Sequence, residues 1–144
     1  MKMRRIYVNE KWCLGCHLCE YNCAFSNSAE TDMVKALKDV HINPRIRIEE
    51  EGNIHFAVSC RHCEEPLCVK GCIMGALSIE DGVIMIDQDK CVGCCTCILM
   101  CPYGAIMPSD TGVMQKCELC VKNAGGTPAC VESCPNRAIV FEER

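Results

Sequence analysis

The sequence predicts an α+β fold of short helices and β-hairpins, organised by cysteine rather than by a large apolar core. Three observations lead there. Cysteine accounts for 17 of the 144 residues, about 12%, above the level at which cysteine chemistry organises a chain. Aromatic side chains are scarce: Trp12, three tyrosines and three phenylalanines, so a core of aliphatic and aromatic residues alone is thin. Short apolar arms also alternate around turn residues at several places, which is the pattern of hairpins.

The elements follow in order. Arg5-Ile6-Tyr7-Val8 reads as a strand, and Ala138-Ile139-Val140-Phe141 at the other end of the chain as its partner. Between Ser28 and Val40, the apolar Met33, Val34, Leu37 and Val40 have helical spacing, with Ser28 or Thr31 as N-cap. That predicts a helical insertion over 28–45, packed on the outside and available to a partner. Ile46 and Ile48, then Ile54, Phe56 and Val58, alternate around Glu50-Glu51-Gly52-Asn53, and Glu49-Glu50-Glu51 reads as a solvated turn. Leu77-Ser78-Ile79-Glu80 and Val83-Ile84-Met85-Ile86 flank Asp81-Gly82, a strong short-range hairpin signal. Ile106-Met107 and Val113-Met114, around Asp110-Thr111-Gly112, make a third hairpin.

Charge and hydropathy narrow the function. Fifteen Lys and Arg against 19 Asp and Glu give a formal charge of −4, with no basic excess for nucleic acid. No stretch approaches the roughly 18 uncharged apolar residues of a membrane span, so direct membrane insertion is not expected. Met1-Lys2-Met3-Arg4-Arg5 is a charged start, but Ile6 to Lys11 is no apolar signal region, and the Arg4-Arg5 pair lacks the hydrophobic stretch of a twin-arginine leader. The expected location is cytoplasmic, where thiols stay reduced and disulfide frameworks are rare. An odd number of cysteines also suits a fully paired disulfide set poorly. Metal is the better reading.

The cysteines fall into four groups: Cys13, Cys16, Cys19, Cys23; Cys60, Cys63, Cys68, Cys72; Cys91, Cys94, Cys97, Cys101; and Cys117, Cys120, Cys130, Cys134. Each has the form C-x2-C-xn-C-x3-C, with n equal to two, four, two and nine. One motif is used four times. Three cysteines at i, i+3 and i+6 let a tight loop wrap one face of an iron–sulfur cube, and the fourth lies on the short helix leaving that loop. In two-cluster bacterial ferredoxins a fourth cysteine of this spacing, followed by proline, serves the other cluster. Here Cys101-Pro102 and Cys134-Pro135 keep the proline, whereas Cys23-Ala24 and Cys72-Ile73 depart from it. Zinc is the rival reading: structural sites pair two C-x2-C units across a spacer, as Cys117/Cys120 and Cys130/Cys134 could, but a triplet as dense as Cys91, Cys94, Cys97 fits one tetrahedral ion poorly.

Other residues read more plainly. Cys95 breaks the register and is expected to be a small buried filler. His17 and His62 sit inside ligand loops that already have four thiols, so supporting or surface roles are expected. Met74, Met85, Met100 and Met107 suit irregular packing around clusters. Lys11, Lys70, Lys90 and Lys116 flank the groups, either to guide docking or as ordinary surface. No Gly-rich nucleotide loop and no nucleophile with a histidine and acid partner is present. An electron carrier without a substrate site of its own is expected, not an enzyme.

Taken together, the four groups resemble the four-cluster iron–sulfur subunits of the dimethyl sulfoxide reductase type across nearly the whole chain. Cys60-Arg61-His62-Cys63-Glu64-Glu65-Pro66-Leu67-Cys68 carries the marker of that family's second group. Arg5-Ile6-Tyr7-Val8-Asn9-Glu10 and the short length resemble the members that serve carbon monoxide dehydrogenase. Related subunits serve tungsten aldehyde oxidoreductases, formate dehydrogenases and hydrogenases. The resemblance implies two interleaved ferredoxin-like units, residues 1–27 with 105–144 and residues 54–104, holding four 4Fe–4S clusters. It also implies exchanged ligands: Cys13, Cys16 and Cys19 with Cys134; Cys117, Cys120 and Cys130 with Cys23; Cys60, Cys63 and Cys68 with Cys101; Cys91, Cys94 and Cys97 with Cys72. By the same resemblance, single electrons pass from carbon monoxide dehydrogenase to a flavin-dependent NAD(P) oxidoreductase or a hydrogenase.

Overall fold

The computed structural model describes residues 3–39, 41–122 and 127–144, and among these it has five short helices and eight short strands. In order they are β1 (Arg5–Val8), α1 (Leu18–Ser26), α2 (Met33–Leu37), β2 (Arg47–Glu51), β3 (Ile54–Val58), α3 (Leu67–Gly71), β4 (Leu77–Glu80), β5 (Val83–Ile86), α4 (Thr96–Met100), β6 (Met107–Pro108), β7 (Met114–Gln115), α5 (Ala129–Ser133) and β8 (Ile139–Glu142). Among the described residues the strands pair as antiparallel twos: β1 with β8, β2 with β3, β4 with β5 and β6 with β7. The mixed fold of short helices and hairpins is as the sequence predicts.

The chain divides into two units. The first comprises Met1–Val58 and Leu119–Arg144, the second Ser59–Glu118. In the first unit the two ends of the chain meet, with Arg5 opposite Glu142 and Val8 opposite Ile139. The β2–β3 hairpin turns at Gly52, whose φ of 59° is the left-handed conformation that glycine adopts freely. Glu50 and Glu51 are therefore paired strand residues, opposite His55 and Ile54, rather than the turn expected for Glu49-Glu50-Glu51. A two-residue loop suffices, and the alternation runs up to it.

The second unit is built on β4–β5. Asp81 and Gly82 both take positive φ, 49° and 79°, as a two-residue type I′ hairpin requires. All four residues of β5 are buried. The core comprises Cys68, Leu77, Ile84, Ile86, Cys97, Ile106 and Met114, with Val69, Cys72, Cys91, Ile98 and Cys101 packed against it. Sulfur fills the interior where aromatic rings are missing. Because Ile106 and Met114 belong to this core, the β6–β7 hairpin lies with the second unit, so the break falls after Glu118 rather than at 104–105.

The insertion between the first two cysteine groups is less helical than the 28–45 span expected. Only Met33–Leu37 forms a helix, capped by the Asp32 carboxylate, which accepts the Val34 N–H at 2.9 Å. Ser28 is used elsewhere: its hydroxyl donates to the Phe25 carbonyl at 2.7 Å, just beyond α1. No residue of α2 is buried, and helical spacing without a buried face gives little tertiary support. Val40, the last residue of that pattern, and Met1 and Lys2 of the charged start lie outside the described residues.

Candidate metal centre

Four loops of similar design carry the cysteines. In every group the residue before the second cysteine has positive φ: Gly15 at 66°, His62 at 47°, Gly93 at 74° and Leu119 at 55°. The third cysteine is the second residue of a helix each time: Cys19 in α1, Cys68 in α3, Cys97 in α4 and Cys130 in α5. Where only two residues separate the second and third cysteines, the chain enters the helix through a left-handed N-cap, His17 (φ 61°) or Cys95 (φ 63°). Longer gaps use a proline N-cap, Pro66 or Pro128, whose fixed φ leads into the helix.

The fourth cysteines differ from the single expectation. Cys23 lies within α1, but Cys72, Cys101 and Cys134 are the first non-helical residues after α3, α4 and α5. Pro102 and Pro135 disfavour the helical conformation at Cys101 and Cys134. Ala24 imposes no such block, and α1 runs on to Ser26.

Within the first unit, Cys13, Cys16, Cys19 and Cys134 line one small cavity, part of it open to solvent. Ile48 and Ile139 contribute apolar walls. Within the second unit, Cys72, Cys91, Cys94 and Cys97 line another, together with Met74, Met114 and Cys95. Cys68 lies close enough to Cys60 and Cys101 for charge on either to raise its pKa. Cys23 and Cys120 stand in the same relation in the first unit. Cys130 is buried on α5, and Cys117 is buried near the end of the second unit.

These surroundings suit sulfur ligands. Backbone N–H groups point at several of the sulfurs, among them Arg45 at Cys23 (3.3 Å), Ala138 at Cys134 (3.3 Å), Met114 at Cys91 (3.4 Å) and His62 at Cys60 (3.4 Å). Such donors favour the thiolate over the thiol. Burial acts the other way, pushing Cys19 up to about 12 and Cys97 to about 11, and raising Cys23 and Cys68. A buried thiolate needs a cation to stabilise it. Cys94 is exposed and drawn down by the Thr96 hydroxyl, which donates to its sulfur at 3.4 Å. Four thiolates on one zinc would lie only about 3.8 Å apart, from a Zn–S bond of about 2.3 Å. Among the described residues no three His, Cys, Asp or Glu side chains converge on one ion in that way. Thiols spread around a cavity fit a cluster better.

The supporting residues hold two surprises. His17 is held by Glu20 (2.8 Å) and Glu50 (3.2 Å), and the Glu20 hydrogen bond leads in raising its pKa. Glu20, which no motif in the sequence singles out, also accepts the Ile48 N–H at 2.6 Å and so ties the first ligand helix to β2. His62 is buried and its Nδ1 accepts the Ile84 N–H at 3.0 Å, joining the second ligand loop to β5. Cys95, expected to be buried, is exposed at the rim of the second-unit cavity, in the left-handed N-cap of α4, with its thiol 3.5 Å from the Gly93 carbonyl. Lys70 and Lys90 are exposed and paired with Glu65 and Asp87, but Lys116, grouped with them by sequence, is fully buried at 0% exposure.

Gly93 gives a direct test of the loop design. A Cβ there would stand 2.6 Å from the Gly112 carbonyl oxygen, at a φ of 74°. The backbone conformation alone costs a non-glycine residue about 1–2 kcal/mol, and the clash is with main chain. Gly93→Ala is expected to lower the thermal midpoint and to reduce metal retention at the Cys91, Cys94 and Cys97 loop; unchanged melting and iron content would contradict this.

Residues 53–144 match the family described as 4Fe-4S dicluster domain. The chain is 37% identical over 150 residues to the iron-sulfur protein of Rhodospirillum rubrum, covering 93% of this chain and 79% of that one. It is 32% identical over 157 residues to the electron transport protein HydN of Escherichia coli, covering 98% and 89%. To the B subunit of the anaerobic dimethyl sulfoxide reductase of Escherichia coli it is 33% identical over 147 residues, covering 94% and 71%. The chain spans only about a fifth of two longer Escherichia coli relatives, the putative oxidoreductases UacF (19%) and AegA (21%), at 37% and 38% identity. Among solved structures, the active-site complex BamBC of benzoyl coenzyme A reductase with benzoyl-CoA shares the fold, with a TM-score of 0.53 at 20% identity over 100% of this chain and 81% of that one. The chain belongs to the 4Fe–4S dicluster, ferredoxin-type family of iron–sulfur electron-transfer proteins.

Proposed function

We propose that the chain relays single electrons through four 4Fe–4S clusters and has no substrate site of its own. The ligand sets are Cys13, Cys16, Cys19 and Cys134; Cys117, Cys120, Cys130 and Cys23; Cys60, Cys63, Cys68 and Cys101; and Cys91, Cys94, Cys97 and Cys72. The observation that carries this reading is the crossed composition of a cavity: Cys134, from one end of the chain, lines it with Cys13, Cys16 and Cys19 from the other. When bound, each cluster supplies a one-electron couple whose potential follows charge, hydrogen bonds to sulfur and exposure. The chain's own part is to supply thiolates, to aim backbone N–H groups of Arg45, Ala138, Met114 and His62 at them, and to bury Cys19, Cys23, Cys68, Cys97, Cys117 and Cys130 away from water.

The proposed donor is a carbon monoxide dehydrogenase, on the resemblance of Arg5-Ile6-Tyr7-Val8-Asn9-Glu10 to CooF, its associated iron–sulfur protein. The proposed acceptor is a flavin-dependent NAD(P) oxidoreductase or a hydrogenase, and the proposed compartment the cytoplasm. Among the described residues no helix is long and apolar enough to cross a membrane. With four oxidised clusters of about −2 each, the protein would carry about −12 in place of the formal −4, so its partners should meet it with basic patches. Anaerobic protein should be reduced rapidly by the dehydrogenase with CO and not by CO alone, more slowly as salt screens the attraction. Reduction that instead needs an aldehyde with a tungsten enzyme, or formate with a formate dehydrogenase, would reassign the partner and leave the electron-transfer reading intact.

A further inference from the structure

The first ligand loop is tied to the β2–β3 hairpin through Glu20, His17 and Glu50. Glu20 follows the ligand Cys19 on α1, and its side chain is only 16% exposed. One carboxylate oxygen meets His17 Nδ1 at 2.8 Å, and the other accepts the Ile48 N–H of β2 at 2.6 Å. On its far side, His17 Nε2 lies 3.2 Å from Glu50 Oε1, also on β2, and the same oxygen is 3.3 Å from His55 Nδ1 on β3. The hairpin presses on the loop directly as well: a Cβ at Gly15 would stand 2.7 Å from His55 Nδ1. Ile48 in turn walls the cavity that Cys13, Cys16, Cys19 and Cys134 line. All of these residues belong to the first unit. The third group has the same spacing and the same left-handed entry to its helix, at Cys95, yet Ile98 stands where the first group has Glu20. Such a loop folds without a carboxylate, so the clasp serves something else.

We propose that Glu20 is a positioning residue: through His17 and Ile48 it clasps the β2–β3 hairpin over the cluster of Cys13, Cys16, Cys19 and Cys134, and the closed hairpin keeps water and small reagents from that cluster. Both oxygens of Glu20 are engaged, each by a different element, and hydrogen bonds to an ionised, largely buried carboxylate are the stronger kind. A hairpin can open locally while the rest of its unit stays folded, and the clasp makes that opening rarer. Glu50 adds to it from a more exposed position, where a charge pair contributes less. The inference rests on the cluster proposed for the first group. Glu20 touches neither iron nor substrate and acts through the hairpin.

The test times the loss of each cluster from the full chain to an iron chelator, bathophenanthroline disulfonate, under anaerobic conditions. The readout is electron paramagnetic resonance of samples reduced with dithionite. The signal of interest is the one missing in Cys13→Ser, so the test stays readable whichever fourth cysteine completes that cluster. Glu20→Ala should speed the loss of that signal roughly tenfold, the weight of one hydrogen bond to a charged group, and leave the other signals at their wild-type rates. Glu20→Gln, whose amide can donate to His17 and whose oxygen can accept the Ile48 N–H, should stay close to the wild-type rate. His17→Gly separates the clasp from the turn. Glycine takes the φ of 61° freely but has no ring to meet Glu20 or Glu50, so this variant should also lose that signal faster. Unchanged loss in Glu20→Ala, equal acceleration of every signal, or Glu20→Gln as labile as Glu20→Ala would overturn the proposal. So would wild-type retention in His17→Gly, which would confine Glu20 to holding the turn. Should Glu20→Ala not fold, His17→Gly decides by the same criteria. Wild-type protein that carries zinc, or that loses no signal in Cys13→Ser, would defeat the cluster reading beneath the inference, and the inference with it.

Discussion

Cys134→Ser is expected to remove the cluster whose other thiols are Cys13, Cys16 and Cys19, with loss of about four irons and one paramagnetic signal per chain. The reason is geometric. Cys134 leaves α5 in extended conformation (ψ 112°), and its sulfur receives the Ala138 N–H at 3.3 Å. It lines the cavity shared with Cys13, Cys16 and Cys19. Pairing of β1 with β8 brings those chain ends together, with Asn9 donating its N–H to the Ala138 carbonyl at 2.8 Å. Serine is nearly isosteric but a poorer ligand, so the fold should tolerate the change better than the cluster does. Cys95→Ser is the matched control: the thiol is exposed, and all four clusters should survive its loss. If Cys134→Ser instead removes the signal that Cys120→Ser removes, each group closes its own cube.

Stripping the metal is expected to unfold the chain, or to leave a state without a cooperative thermal transition. In the second unit the core consists largely of short aliphatic residues and cysteine, with Cys68 and Cys97 buried in it and Cys72, Cys91 and Cys101 packed against it. Removing the group those sulfurs surround leaves a cavity on one side of Leu77, Ile86 and Met114, whose packing partners are then missing. Net stability of a domain is only about 5–15 kcal/mol, and the binding free energy of a structural metal is in effect folding free energy. Chelator-treated protein should lose its far-ultraviolet dichroism transition, and iron with sulfide should restore it. A metal-free chain that melts cooperatively near the holoprotein's midpoint would contradict this.

The hairpins are legible because a period of two and a left-handed turn are both written locally: Asp81-Gly82 and Gly52 specify their turns, and β1 and β8 announce themselves as apolar arms. The helix expected from Ser28 is not, since Met33 and Val34 have helical spacing yet stay exposed, and spacing alone cannot say whether a face finds something to pack on. The repeated loop design is legible in the spacing, but the crossing of ligands between groups is not: spacing gives which cysteines belong to a loop, and only resemblance suggests which loops share a cluster. Lys116 escapes sequence reasoning for a general reason. Lysine is almost never fully buried, so nothing in its residue type marks Lys116 as interior. Cys95 escapes it because free cysteine ordinarily behaves as a small buried hydrophobe, whereas the two-residue gap after Cys94 forces a left-handed cap at that position.

The central claim is that sixteen of the seventeen cysteines hold four cubes, and a count of iron and acid-labile sulfide in anaerobically prepared protein tests it most directly. The account predicts about sixteen of each per chain. A reproducible value near eight in fully folded protein, or zinc in place of iron, would contradict it.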